Sequence, residues 1–439
     1  MLDQPRASRP TDTEPPIVET ALREAPIFPG DAADASLARG EGSGDAKTRT
    51  EGLRVLAVLS MLMGFASIST DLYLPAMPVM GRELGASPGA MEWTVSGYLI
   101  GFSLGQLLWG PIGDRIGRRV PVSIGILLFA LGSAGCALSP TPAIMIACRV
   151  IQAVGACASV VLARAMVRDL YEGPRAAQMM STLITVMGIA PLLGPFIGGQ
   201  ILLLAGWRAI FWFLVILGIG TLAALWTVPE TLPGERRSRE PLATSLARYS
   251  LLVRDPKLLQ FVGAGAFFYG GAYAYIAGSP FAYITYYHVP EHLYGLLFGL
   301  GIAGIMAANL VNARLVGRFT SIDLLKMGAA LAAASGVLLS ITSMTDIGGL
   351  IGLVLPVLIF VSLNGFIVAN SISGALADHS HQAGAVSALV GALQYGCGIF
   401  SSGLIGWFAN GTPAPMGIVI AACGLLSFLC VIPIRTVRP

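Results

Sequence analysis

Long apolar stretches recur along the chain from Leu53 onward, and each is long enough to cross a lipid bilayer. About 20 mainly apolar residues suffice for one crossing, and lipid offers the backbone no outside hydrogen-bond partner, so each stretch must be helical. Only 12% of the residues are charged, about half the fraction typical of soluble domains. The predicted spans are 53–78, 91–111, 119–138, 142–167, 179–203, 208–229, 256–285, 292–316, 323–345, 347–371, 382–407 and 414–434. We therefore predict an all-α membrane protein with twelve transmembrane helices.

Lysine and arginine are concentrated in every second link between these spans. If the N-terminus lies inside, the links that face outward contain only Arg82 and Arg208. Because positively charged links stay in the cytoplasm, we predict that both termini are cytoplasmic. The net charge of +3 does not indicate nucleic-acid binding. The lipid bilayer is the expected macroscopic partner of this surface.

One polar link divides the spans into two sets of six. Residues 230–255 form this predicted cytoplasmic linker, between a first bundle at 53–229 and a second at 256–434. Two such repeats, related by an axis along the membrane normal, are a common transporter design. Residues 1–52 contain no apolar stretch and are rich in proline and charged residues, so we expect a disordered cytoplasmic tail. Residues 435–439 form a second, short tail.

Reactive residue types do not form the arrangements that enzymes or metal sites use. The six cysteines lie in apolar stretches, without Cys-x-x-Cys spacing or neighbouring histidines. The sequence contains neither a P-loop nor a G-x-S-x-G motif. We expect no enzymatic activity, no cofactor and no metal, which disfavours a membrane-embedded enzyme or sensor.

The link between spans two and three contains a glycine-rich basic motif. Residues 110–119 read GPIGDRIGRR, which resembles the major facilitator motif G-x-L-x-D-R-x-G-R-[KR]. Glycines at the first positions allow close helix approach, and Gly117 permits a tight turn. The resemblance implies the major facilitator fold, with two pseudo-symmetric six-helix bundles. A cytoplasmic gate is predicted at Gly110, Gly113, Asp114, Arg115, Gly117 and Arg118.

Span five carries two prolines within a run of small residues. Residues 188–199 read GIAPLLGPFIGG, which resembles the antiporter motif of drug exporters in this superfamily. Pro191 and Pro195 each remove a backbone donor and bend a helix, while Gly194 allows close packing. We predict a helix that seals one side of the cavity. The alternative is an ordinary membrane helix, since both residue types are common there.

Four further segments read STDLYLPAMP at 69–78, RVIQAVGA at 149–156, ETLP at 230–233 and GSPFAYI at 278–284. They resemble segments of the Bcr/CflA-type drug exporters, similar to bicyclomycin-resistance proteins, and the resemblance extends from about residue 53 to 430. It implies a proton-coupled exporter of bicyclomycin- or chloramphenicol-like drugs in the bacterial inner membrane, and we expect a monomer. Import of a small metabolite is the alternative, which the motifs of spans one and five disfavour.

Three charged residues, Asp71, Arg149 and Arg164, stand out deep inside predicted spans, where charge is costly and functional by default. Asp71 and Arg149 are each about seven residues from an outer end, roughly 10 Å deep at 1.5 Å per residue. We predict that Asp71 carries the coupled proton and pairs with Arg149 when it is deprotonated. The alternative is a static ion pair between two helices. Arg164 lies nearer the inner end of span four, where it either serves an inner gate or extends toward water.

The second half offers aromatic and amide side chains for a cargo. An amphipathic drug requires apolar walls with a few placed polar groups. We predict substrate contacts from Tyr98 in span two, Tyr269 in span seven and Gln394 in span eleven. Hydrogen bonding between helices is the alternative role for each of them.

Overall fold

The computed structural model describes residues 44–87, 89–239, 247, 249–379 and 382–434. The remainder of the predicted N-terminal tail and the C-terminal tail 435–439 lie outside these residues. The first helix already begins at Gly44, so that it extends into the region predicted as a tail.

The described chain is helical throughout its length, with short links. Four tighter or wider turns occur in the described residues: 3-10 turns at Leu74–Ala76 and Gly234–Arg236 and π-helical turns at Phe281–Tyr286 and Gly365–Ala369. The α-helices are α1 (Gly44–Asp71), α2 (Met77–Glu83), α3 (Glu92–Ile116), α4 (Arg119–Leu138), α5 (Pro142–Leu170), α6 (Gly173–Ala205), α7 (Trp207–Leu225), α8 (Pro256–Pro280), α9 (Glu291–Leu315), α10 (Ser321–Thr345), α11 (Gly349–Ser362), α12 (Asn370–Ala377), α13 (Ala383–Trp407) and α14 (Ala414–Val431).

Within the described residues, 10 helical segments are long and apolar enough to cross a membrane. Two of them, Leu53–Glu83 and Gly349–Ala377, are single spans broken by a turn. Helices α3 and α8, of 25 residues each, complete the twelve predicted spans. Both are less apolar because they carry glycine, tyrosine and polar residues toward neighbouring helices, with which they pack extensively.

Helix boundaries follow local sequence signals. Thr141 accepts a hydrogen bond from the backbone N–H of Ile144 and begins α5, with proline at the first helical position. Asp255 caps α8 in the same way, accepting from the N–H groups of Lys257 and Leu258. Such caps satisfy N–H groups that the first helical turn leaves without partners.

Residues from Val55 onward form one compact unit. In the first half, α5 packs against α3 and α4, and in the second half α8 packs against α13 and α14. The main contacts between the halves join α3 to α13 and α6 to α9. The spans of both halves therefore surround a common centre. The linker boundaries at 230–255 remain a prediction.

Small residues allow the helices to approach closely, as helices in lipid commonly require. Gly155 of α5 lies against the backbone of α4, where an added Cβ would meet the carbonyl oxygen of Gly125 and the backbone of Phe129. Backbone atoms cannot move aside as a flexible side chain can. The contact between α4 and α5 therefore depends on the glycine.

We expect Gly155→Ala to destabilise the protein by about 1–3 kcal/mol, the usual cost of overpacking. Thermal unfolding in detergent, followed by light scattering or intrinsic fluorescence, measures the change. Gly220→Ala on α7 is the matched control, because nothing lies within 4 Å of its added Cβ. Equal unfolding temperatures for the two variants would contradict the proposed packing.

Candidate transport cavity

A cavity of about 610 Å³ lies between the two halves, and we call it the central cavity. Residues of α1, α3 and α6 line it from the first half, and residues of α8, α9, α11 and α13 from the second. Its walls are mainly aromatic and aliphatic, with a few polar groups. Among the residues predicted from the sequence, it brings together Asp71, Tyr98, Pro191 and Tyr269.

Asp71 is the last residue of α1 and lines the central cavity. The chain turns there into the 3-10 segment Leu74–Ala76, whose proline cannot continue the hydrogen bonds of the preceding helix. The residue is only 4% exposed. The break in span one therefore places a carboxylate at a cavity wall that is shielded from bulk water.

Helix α6 passes directly beside this turn. It is one continuous α-helix that includes Pro191 and Pro195. A Cβ added at Gly194 would lie 3.0 Å from the Cβ of Asp71, and one at Gly198 would meet the carbonyl oxygen of Leu72. The proline- and glycine-rich segment of span five thus packs against the segment that carries the carboxylate. Sequence spacing did not indicate this proximity.

Arg149 of α5 is fully buried. Its guanidinium donates hydrogen bonds to the carbonyl oxygen of Ser69, at 2.9 Å, and to the Gln152 side chain. It also lies 4.3 Å from the ring centres of both Tyr73 and Tyr98. Aromatic faces attract a cation electrostatically. Two rings and two oxygen acceptors therefore hold the charge in place.

The direct ion pair between Asp71 and Arg149 that the sequence predicted is not formed in this structure. No oxygen of Asp71 lies within 4.0 Å of the guanidinium among the ion pairs of the described residues. Arg149 instead bonds to the backbone two residues before Asp71. Ring faces and a carbonyl hold the guanidinium, and its Nε and Nη2 atoms have no hydrogen-bond partner among the described residues.

Tyr98 contributes more to this arrangement than to the cavity surface. It is 1% exposed, and its hydroxyl lies 2.6 Å from the Ser69 hydroxyl. Tyr269 lines the cavity more openly, in contact with the rings of Tyr273 and Tyr395. Tyr98 thus supports Arg149, and Tyr269 faces the space where a cargo would lie. Their contact with a substrate remains a prediction.

Gln394 does not line the central cavity, contrary to the sequence prediction. Its side chain is buried beside Gly265 of α8, and its amide nitrogen has no hydrogen-bond partner. The next residue, Tyr395, lines the cavity instead. Consecutive helical residues point about 100° apart, so an error of one position changes the face. The aromatic pattern of spans seven and eleven was the available signal for Tyr273 and Tyr395.

Arg164 lines a separate cavity of about 480 Å³ toward the predicted cytoplasmic ends. Its guanidinium approaches the sulfur of Met187 at 3.9 Å. Gly110, Asp114 and Arg115 of the motif loop line the same cavity. The structure therefore places Arg164 with the motif loop rather than with Asp71.

The motif loop is held by four charged residues, Asp114, Arg118, Asp169 and Glu230, which we call the cytoplasmic cluster. Arg118 bonds to Asp114 at 2.6 Å and to Asp169 at 2.8 Å. The Glu230 carboxylate accepts the backbone N–H groups of Arg118 and Arg119, at 2.8 and 3.0 Å. Asp114, Arg118 and Asp169 belong to the first half and Glu230 begins the predicted linker, so this cluster ties helix ends of one bundle to the start of the linker.

The three glycines of the motif differ in their surroundings. Gly117 adopts φ +104, a conformation that favours glycine, and an added Cβ would lie 2.8 Å from a Glu230 oxygen. Gly113 lies against Leu162 of α5, as the predicted close approach requires. Gly110 has nothing within 4 Å of an added Cβ. The close contact predicted for Gly110 is therefore absent in this conformation.

The surroundings of Glu230 favour its charged form. Partial burial acts to raise the pKa of the carboxyl, but hydrogen bonds from the N–H groups of Arg118, Leu232 and Arg119, with the nearby Arg237 charge, outweigh it and lower the pKa. Burial likewise opposes the charge of Arg118, yet Asp169 and Asp114 raise its pKa. Glu230 and Arg118 are consequently both charged at neutral pH.

We expect Glu230→Gln to lower the unfolding temperature at pH 7 by a few degrees, a loss on the order of 1 kcal/mol. Because the pKa of Glu230 is lowered by folding, its stabilisation is complete above the ordinary value of 4.5 and is lost as the pH falls below it. The difference from the parent protein should therefore shrink in acid. Unfolding temperatures between pH 7 and pH 3 measure this.

Glu235→Gln is the control for this experiment, since Glu235 is an exposed residue of the same link. It should leave the unfolding temperature unchanged at every pH. A pH-independent deficit in Glu230→Gln would argue against an ionised cluster.

Comparison with known proteins relates this chain to a protein family. A family model described as Major Facilitator Superfamily matches residues 59–402. An uncharacterized MFS-type transporter, YdgK of Bacillus subtilis, is 34% identical over 388 residues, covering 87% of this chain and 96% of the relative. A bicyclomycin resistance protein homolog of Haemophilus influenzae is 30% identical over 375 residues, covering 85% and 93%.

Two further similarities bear on drug resistance and on the fold. A chloramphenicol resistance protein of Pseudomonas aeruginosa is 33% identical over 339 residues, covering 74% of this chain and 77% of the relative. The crystal structure of a D-xylose-proton symporter superposes with a TM-score of 0.66, covering 86% of this chain and 96% of the symporter. At 18% identity this likeness concerns the fold alone.

Proposed function

This chain belongs to the Major Facilitator Superfamily, and we propose that it exports small amphipathic, drug-like molecules in exchange for protons. The observation that carries the proposal is a buried carboxylate, Asp71, on the wall of an aromatic cavity. Arg149, a buried cation on α5, donates a hydrogen bond to the carbonyl oxygen of Ser69, two residues before Asp71. The names of two relatives, which refer to bicyclomycin and chloramphenicol resistance, agree with drug export.

The cavity walls favour an amphipathic cargo. Tyr269, Tyr273 and Tyr395 present aromatic surface, and Asn309 and Asn364 add amide groups. Pockets with mainly apolar walls and few polar groups bind such molecules by burying their apolar surface. A cavity of about 610 Å³ is within the range of drug-sized sites.

Proton coupling is assigned to Asp71. In its charged form, the carboxylate is attracted toward Arg149, and protonation removes that attraction. Because α6 packs on the same turn through Gly194, a change in charge at Asp71 bears directly on the contact between α1 and α6. Protonation of Asp71 therefore disfavours the arrangement of α1 and α6 that the attraction between Asp71 and Arg149 stabilises.

Alternating access then requires two contacts between the halves to separate. Gly295 of α9 lies against the backbone of Pro195 and Phe196 in α6. Gly89 lies against the carbonyl group of Gly406, at the end of α13. Both contacts lie at ends predicted to face outward, and they close the central cavity on that side. Their parting would open a path for the cargo.

The chain is a multi-pass membrane protein. We place it in the bacterial inner membrane as a monomer with cytoplasmic termini, following the charge distribution of its links. Import of a metabolite gains no support from the symporter of similar fold, since fold does not specify cargo.

In an efflux-deficient bacterium, the chain should raise resistance to chloramphenicol or bicyclomycin. Asp71→Asn should reduce pH-gradient-driven efflux to background, because the amide binds no proton in this range. Drug accumulation in inverted membrane vesicles with an imposed pH gradient measures this effect.

Asp378→Asn provides the control, since Asp378 is exposed at the end of α12. Protein abundance in the membrane must match among all variants. Undiminished gradient-driven efflux in Asp71→Asn would disprove the assigned proton site.

A further inference from the structure

A second cavity, of about 350 Å³, lies between the halves at the predicted outer ends, and we call it the outer vestibule. Helix α2 and the start of α3 line it from the first half. The π-helical turn Phe281–Tyr286 and residues 405–416 line it from the second. The contact between Gly89 and Gly406 borders the same space. The vestibule therefore adjoins a contact that must break for outward opening.

Glu92, the first residue of α3, lines the outer vestibule. An acidic residue at a helix N-terminus is favoured by the helix dipole, which accounts for its position but not for its surroundings. The residue is only 4% exposed, and its Oε2 atom is buried without a hydrogen-bond partner. A buried carboxylate oxygen without a partner is costly. This observation indicates a missing ligand.

The described residues do not supply a cation to Glu92. Arg82 also lines the vestibule, but its side chain is 67% exposed and pairs with Glu291 at 3.8 Å. None of the ion pairs within 4.0 Å among the described residues includes Glu92. The carboxylate is thus available to a positively charged group from outside the chain.

The other walls of the vestibule narrow the chemistry of that group. Thr285 supplies a neutral hydroxyl oxygen that can accept a hydrogen bond. The side-chain oxygens of Asn410 and Thr412 also line the space, but they already bond to each other and to the N–H groups of Thr412 and Ala414. Ile405 and Met416 supply apolar surface. A proton alone would not need a cavity of this size. An N–H donor attached to an apolar body would contact the carboxylate, the neutral oxygen atoms and the apolar surface of the vestibule.

The geometry points to a binding site in the outer vestibule for a small organic monocation, a primary ammonium with an apolar body, whose counter-ion is Glu92. The ammonium donates to the unpartnered Oε2, and its apolar part lies against the second half. Because the site touches both halves, occupancy also favours the conformation in which they meet. The idea that cargo passes this site on its way out rests on the proposed drug export. The binding of the monocation does not depend on that proposal.

Equilibrium dialysis of radiolabelled phenethylamine against the full chain in lipid nanodiscs tests the site without transport. All proteins carry Asp71→Asn, so that the central carboxylate does not contribute. Glu92→Gln should weaken phenethylamine binding by at least about tenfold, because a charged partner is lost. The neutral analogue 2-phenylethanol should bind equally weakly to parent and variant.

Two further variants make the result decisive. Glu83→Gln removes a charge from the same outer side, at a residue that does not line the vestibule and pairs with Arg208, and it should leave phenethylamine binding unchanged. Thr285→Trp fills the vestibule without altering its charge and should weaken binding as Glu92→Gln does, which provides a second test if Glu92→Gln does not fold. Gel filtration establishes folding in each case.

Parent-like binding by a folded Glu92→Gln protein, or an equal loss in Glu83→Gln, would overturn the site. A chain that binds phenethylamine in this pattern but fails to export drugs would retain the site and lose the proposed function. The two ideas can therefore fail separately.

Discussion

Arg149 carries a full positive charge inside the helical bundle, in a position that water does not reach. The protein replaces the lost hydration with two tyrosine faces, Tyr73 and Tyr98, and with oxygen acceptors from Ser69 and Gln152. These groups come from α1, the turn after it, α3 and α5. Since each must keep its position for the charge to remain solvated, the guanidinium determines how these segments pack.

The carboxylate of Asp71 is placed by this same arrangement. Its segment is anchored on one side by the bond from Arg149 to the backbone of Ser69 and on the other by the glycines of α6. Because Asp71 and Arg149 form no direct ion pair here, a change of charge on Asp71 leaves the bonds of Arg149 to Ser69 and Gln152 in place.

The contacts in the molecule divide into those within a half and those between halves. The cytoplasmic cluster joins the motif loop to the end of α5 and to Glu230, the first residue of the predicted linker. It therefore fixes helix ends of one bundle against one another and against the linker. Contacts between the halves at the outer ends are made by glycines and backbone, together with one ion pair, Arg82 with Glu291 at 3.8 Å. Because the Arg82 side chain is 67% exposed, water can replace its partner if these contacts separate.

Among the described residues, two buried carboxylates line cavities, and they lie at different predicted depths in the membrane. Asp71 lines the central cavity and Glu92 the outer vestibule. Both lie where the halves meet, so that a charge on a cargo or a proton acts on the interface and not on one bundle alone. A cationic cargo on its way out would meet the second carboxylate after leaving the first.

The sequence by itself determined that the chain is an all-α membrane protein of the major facilitator fold, because apolar length and loop motifs are local properties. It also identified Asp71 and Arg149, since charge in lipid is rare, and it identified Tyr269 as an aromatic residue for contact with a cargo. Only the tertiary structure decided the partners: Arg149 bonds to Ser69 rather than Asp71, and Tyr395 replaces Gln394 at the cavity. Such outcomes depend on the rotation of each helix about its axis and on competition among distant groups. No local pattern contains that information.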